Sequence, residues 1–173
     1  MKKSRALITG VAGFIGSNLL DYLMVHTDWE IDGVDNCSTG NESNISEHLT
    51  NARFTFSKVD VLTLKSLTQY QYVFHLAALP RIQPSFELVN AHLEANVLAA
   101  TYLLELMIRE NHFPKFIYSG SSSVYGTPTQ IPTTESERID CLSPYAFQKY
   151  EVEGYLELLS TRYPINYITL RYI

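Results

Sequence analysis

The chain has 173 residues, 46% of them hydrophobic and 18% charged, which is enough for one well-buried core and too few for two ordinary domains. Thirteen Lys and Arg against eighteen Asp and Glu leave a net charge of −5, so the basic field that nucleic-acid binding needs is missing. No apolar run approaches the roughly 20 residues of a membrane-spanning helix, and MKKSRALITG passes directly into a strand pattern without a signal-peptide core. The expected location is therefore cytoplasmic. Cys37 and Cys141 stand in unrelated surroundings and indicate neither a disulfide framework nor a paired-cysteine zinc site. The five histidines show no ligand-type i, i+4 pairing, and no metal is expected.

Short β-branched or aromatic runs alternate with longer helical stretches, the pattern of repeated βαβ units and of a doubly wound parallel α/β sheet in three layers. Ala6 to Thr9 reads as the first strand. A helix follows from Phe14 to Met24, with Ile15, Leu19, Leu20 and Leu23 on its apolar face, and then a strand from Glu30 to Val34. Residues Asn36 to Glu42 form a polar loop. The third and fourth strands fit Arg53 to Ser57 and Tyr72 to Leu76. Between Ser85 and Glu110 the Ala, Leu and Met content predicts one long helix, uninterrupted by Pro or Gly. Lys115 to Ser119 is the fifth strand. Ser143-Pro144 then sets a capping Ser before a Pro at the first helical position and opens a helix to about Arg162, and Ile165 to Tyr172 completes six strands.

Gly10-Val11-Ala12-Gly13-Phe14-Ile15-Gly16 joins the first strand to the first helix, where a glycine-rich turn becomes a dinucleotide-binding signal. Gly10 permits the tight turn, Gly13 lets backbone approach a pyrophosphate, and Gly16 lets helix pack near strand. The helix N-terminus points free N–H groups at the anion. Asp35 ends the second strand nineteen residues after Gly16, where a carboxylate can accept from two ribose hydroxyls. Its charge would repel a 2′-phosphate and so favours NAD over NADP. An Asp before an Asn also starts ordinary turns, so the glycines give Asp35 its weight. Asp60, after the third strand, gains the same support from its place at a strand's carboxyl end.

Tyr145-Ala146-Phe147-Gln148-Lys149 sets a phenol and an ammonium on one helix face. An adjacent Lys⁺ and a positive nicotinamide ring would both stabilise a phenolate, so Tyr145 could take a proton from a substrate hydroxyl. Ser119-Gly120-Ser121-Ser122-Ser123 follows the fifth strand and brings hydroxyls to the same edge of the sheet.

Together TGVAGFIG, Asp35-Asn36, Asp60-Val61, HLAA at His75 to Ala78, SSSVYG at Ser121 to Gly126, and YAFQK resemble the extended short-chain dehydrogenase/reductases, and within them the NAD-dependent nucleotide-sugar epimerases and dehydratases. The resemblance spans the whole chain and implies a Rossmann fold binding NAD. It implies pyrophosphate at Phe14 and Ile15, adenosine ribose at Asp35 and Asn36, and adenine between Asp60 and Val61. Leu76, Ala77, Ala78 and Ser119 would line the cofactor, with Asn96 nearby. Catalysis would fall to Ser121, Tyr145 and Lys149, the lysine also binding the nicotinamide ribose.

Relatives that dehydrate or decarboxylate sugars carry acidic residues directly after the serine matched by Ser121. Ser122 and Ser123 stand there in this chain and favour a 4-epimerase over a 4,6-dehydratase. The run Ala78 to Glu87 is similar to epimerases of UDP-N-acetylated hexoses, which makes a UDP-hexose or UDP-N-acetylhexosamine the expected substrate. A non-catalytic NAD-binding module is the other alternative.

In the family the last strand runs on into a smaller substrate domain. The resemblance therefore implies that residues 1–173 are the NAD-binding domain alone, with Tyr172 and Ile173 at the lip of the cofactor cleft, and that the chain does not turn over a sugar by itself. It also implies a homodimer through a four-helix bundle.

Overall fold

The computed structural model describes residues 3–172; Ile173, expected at the cleft lip, lies outside the described residues. Six parallel strands form one sheet: β1 (Arg5–Thr9), β2 (Glu30–Val34), β3 (Phe54–Ser57), β4 (Tyr72–His75), β5 (Lys115–Ser119) and β6 (Tyr167–Leu170). Their spatial order is β3-β2-β1-β4-β5-β6. The chain thus winds outward from β1 in one direction and then from β4 in the other, which opens a crevice between those two strands at their carboxyl ends. This is the expected doubly wound α/β fold.

Both faces of the sheet are covered. Ile8, Ile31 and Phe54 pack against Leu20, Leu23 and Met24 of α1 (Phe14–His26) on one side. On the other, Leu7, Val73 and Phe116 meet Leu103, Leu104 and Met107 of α4 (Ala99–Glu110) and Val152 and Leu156 of α5 (Pro144–Ser160). Burial on both faces explains why the strand sequences read as near-continuous apolar runs. Among the described residues no helix is long and apolar enough to cross a membrane.

The single helix expected over Ser85 to Glu110 is three pieces. A short α2 (Ile82–Glu87) ends at Leu88, whose φ of −115° and ψ of 49° leave the helical region, and α3 (Val89–Leu93) then passes through a π-helical turn, Glu94–Leu98, into α4. Propensity is overridden here by hydrogen bonds from elsewhere. Ser85 and Asn96 are turned into the interior, each fixed to a backbone outside its own helix. The last strand is also shorter than expected, Tyr167–Leu170.

Candidate functional site

The turn after β1 is built of close backbone contacts. Gly10 sits at φ +73° and donates to Val34 O at 2.7 Å, while a Cβ on it would lie 2.6 Å from the Ala77 nitrogen. A Cβ on Gly16 would strike Gly10 O and lie 2.7 Å from Val11 Cα. Two chain segments therefore meet at distances that no side chain tolerates, which brings the start of α1 against β1. Gly13 is the N-cap of α1 and has no side chain to satisfy the first-turn N–H groups, so they face the crevice.

Asp35 is 8% exposed, and its carboxylate accepts from Ala12 N–H at 2.9 Å and Cys37 N–H at 2.7 Å. It thereby fixes the glycine turn to the end of β2. Each oxygen keeps a further lone pair for a ligand hydroxyl. Asn36 donates to Asp60 Oδ2 at 2.9 Å, and Asp60 Oδ1 caps the turn that holds Val61 by accepting from Leu62 N–H at 2.9 Å.

Across the crevice, Ser143 caps α5 by accepting from Ala146 N–H at 3.1 Å, as its place before Pro144 predicts. One turn on, Lys149 is 2% exposed and donates to Ser119 O at 3.0 Å, with Nζ 5.2 Å from the Tyr118 ring centre and 6.0 Å from that of Tyr145. Burial pulls its pKa down to about 8 against the opposing pull of Glu153. Burial raises the Tyr145 phenol above its ordinary value, and the Ser121 hydroxyl works against that rise.

These parts line one cleft of about 970 Å³, within the range of small-ligand sites. Gly10, Gly13, Phe14, Ile15, Gly16, Asp35, Asn36, Asp60, Val61, Leu76, Ala77, Ala78, Ser119, Tyr145 and Lys149 all border it. Its glycine turn suits an anion, since the backbone there admits close approach and offers N–H groups. Three residues singled out in the sequence, Asn96, Ser121 and Tyr172, are outside this lining. Asn96 accepts from Leu79 N–H at 2.8 Å and donates to Leu79 O and Gln148 Oε1, so it holds the strip that lines the cleft. Ser121 caps the turn Ser122–Tyr125 and shares a 2.7 Å hydrogen bond with Ser123. Tyr172 is exposed just past β6, where its carbonyl accepts from Ser122 N–H at 2.9 Å.

Several contributors have no role that the sequence motifs assign. Thr9 accepts from Ala77 N–H at 3.3 Å and lies 2.8 Å from His75 Nδ1, clamping the strip after β4 to β1. Arg171 forms a multidentate pair with Glu153 and donates to Tyr125 Oη at 2.7 Å, tying β6 to α5. Ser38, Thr39 and Gly40 also line the cleft; the signal for them was the polar loop itself.

With this geometry in hand, the family assignment is direct: residues 6–173 match the NAD dependent epimerase/dehydratase family, and the chain belongs to it. A putative UDP-glucose 4-epimerase of Methanocaldococcus jannaschii is 34% identical over 96% of this chain and 54% of its own length. Among solved structures, a UDP-N-acetylglucosamine 4-epimerase from Methanobrevibacter ruminantium, in complex with UDP-N-acetylmuramic acid, superposes with a TM-score of 0.88 at 35% identity, covering 99% of this chain and 55% of that one. A UDP-glucuronic acid 4-epimerase from Bacillus cereus, solved with UDP-glucuronic acid and NAD, gives 0.90 at 29% identity, covering 97% and 56%. The chain spans about half the length of the relatives it matches.

Proposed function

We propose that this chain is the NAD-binding, catalytic-residue-bearing domain of a nucleotide-sugar 4-epimerase. The observation that carries this reading is that Tyr145 and buried Lys149 border the same cleft as the glycine turn and Asp35. Bound NAD supplies a reversible hydride acceptor for C4 of the sugar. Phe14 and Ile15 backbone holds the pyrophosphate, Asp35 and Asn36 the adenosine ribose, and Asp60 and Val61 the adenine end. Lys149, fixed by Ser119 O, presents its ammonium to the nicotinamide ribose and toward the Tyr145 phenol.

Tyr145 takes the proton from the C4 hydroxyl and returns it after the sugar turns, while Ser121 orients that hydroxyl. Burial outweighs the Ser121 hydroxyl and keeps the Tyr145 phenol protonated in the protein itself, so the positive nicotinamide ring of bound NAD, added to Lys149, would favour the phenolate that accepts the proton. The neutral Ser122 and Ser123 favour epimerisation over dehydration, since elimination requires an additional acid or base; Ser123 is moreover engaged with Ser121. Ala78, Leu79, Pro80 and Arg81 border the cleft and support contact with a UDP-hexose or UDP-N-acetylhexosamine.

Residues 1–173 act here as one NAD-binding unit that does not turn over a sugar alone, because its relatives are about twice as long and orientation of the sugar is part of catalysis. Assays with UDP-glucose and UDP-N-acetylglucosamine test this: no C4 epimer is expected from the 173-residue chain, and a detectable one would overturn that part. A homodimer belongs to the same reading. It is supported by an apolar groove of about 670 Å³ between α3, α4 and α5, flanked by the exposed Leu93, Leu98 and Tyr155. Light scattering at high concentration should give a dimeric mass; a monomeric one counts against it. Two unpaired thiols accord with a cytoplasmic location.

A further inference from the structure

The first turn of a helix leaves N–H groups that the helix itself cannot pair. In α5, Pro144 has no such group, Ala146 N–H donates to Ser143 Oγ, and Phe147 N–H donates to Ser143 O at 3.0 Å. The remaining one belongs to Tyr145, and its partner comes from another helix: Ser85 Oγ, at 3.1 Å. Ser85 is 0% exposed, and its hydroxyl proton goes to Ile82 O at 2.6 Å, so the oxygen's lone pairs are free to accept. Local bonding of a serine to its own i−3 carbonyl is ordinary; use of the same hydroxyl to anchor a second helix is not required by α2.

The helix that carries Ser85 is also a wall of the cleft, where Pro80, Arg81 and Pro84 line it. Arg81, at φ +86°, sets the direction in which α2 leaves the strip after β4. A single buried hydroxyl thus connects the cleft rim to the backbone from which the Tyr145 phenol projects. We propose that Ser85 is a positioning residue for Tyr145, fixing the first turn of α5 so that the phenol stands at the right height beside Lys149 and Ser121. Loss of the acceptor lets that turn shift, and the phenolate loses part of the stabilisation that its neighbours give. The inference rests on the reading of Tyr145 as the proton-transferring group.

The test is a pH titration of the chain labelled with 13C at tyrosine Cζ, with and without saturating NAD, the Tyr145 signal being assigned by its loss in Tyr145→Phe. In the wild type, NAD is expected to lower the Tyr145 midpoint. In Ser85→Ala with NAD the midpoint is expected about half a pH unit or more higher, roughly a threefold loss of phenolate at a given pH. Tyr102→Phe deletes a 2.6 Å hydrogen bond from Tyr102 of α4 to Leu64 O and should leave the Tyr145 midpoint unmoved. If Ser85→Ala does not fold, Ser85→Cys, nearly the same size with a weak acceptor, is expected to show the upward shift instead. A wild-type midpoint in the folded serine variant overturns the role of Ser85. A wild-type midpoint indifferent to NAD overturns the role of Tyr145 and the inference with it.

Discussion

The half of the cleft on β1, β2 and β3 is made of backbone, whereas the half on β4, β5 and α5 is made of buried side-chain polarity. On the first half the one buried charge among the described residues, Asp35, has two backbone N–H partners, and the glycines allow strand and helix to touch. On the second half Lys149 is buried with a single carbonyl partner, and polar atoms of His75, Tyr118 and Thr169 are buried with none. Those three residues are neighbours in register across β4, β5 and β6, so they form one row beneath α5. Binding surfaces can be assembled from satisfied groups. A site that must hold an ammonium beside a phenol keeps part of its polarity uncompensated, at a cost to stability.

The largest effect separating the halves should come from Gly10→Ala. Positive φ and backbone contacts under 3 Å leave no room for relaxation, and a loss of about 3 kcal/mol or more is expected in urea unfolding. A loss below about 1 kcal/mol would mean that the turn is not held as tightly as described.

Lys149→Met should act in the opposite direction. The folded-state pKa of Lys149 is about 8, below the ordinary value of 10.5, so the folded protein binds this proton less well than the unfolded chain. The cost is full below pH 8 and disappears as pH rises toward 10.5. The variant is therefore expected to be more stable than wild type at pH 7, by up to about 3 kcal/mol, with the advantage shrinking between pH 8 and 10.5. A variant less stable at pH 7 would show that the Ser119 carbonyl compensates the buried charge fully.

His75 sharpens the comparison at the acid end. Burial, with the nearby Lys149 charge, lowers its pKa to about 3 from 6.5, so it is neutral in the folded state. Unfolding takes up a proton below pH 6.5, and stability falls progressively down to about pH 3. A loss of about 2 kcal/mol is expected between pH 6.5 and 5, and His75→Phe, which keeps an aromatic ring beside Tyr118, should flatten that slope. An unchanged slope would place the acid sensitivity elsewhere.

The same contrast governs what could be read from the sequence. Gly10 and Gly16 are legible because only glycine fits such contacts, and Ser143-Pro144 because caps have few solutions. Tyr145 and Lys149 are legible as a pair only in company with the other motifs. Ser85, Asn96 and Gln148 form their decisive bonds with residues far along the chain, and no local pattern announces that. This is also why the Ser85 to Glu110 stretch reads as one helix and folds as three pieces. The Thr9 and His75 clamp is hidden for the same reason: each opens a recognisable motif, yet nothing local shows that the two side chains meet across β1 and β4.

Titration calorimetry with NAD on the 173-residue chain and on Asp35→Ala tests the central claim most directly. The expected result is saturable binding of one NAD per chain, lost or weakened at least tenfold in the variant, since the carboxylate holds the Ala12 and Cys37 amides in place and is the group proposed to meet the ribose. Absence of saturable binding by the folded wild-type chain, or equal affinity in the variant, would contradict it.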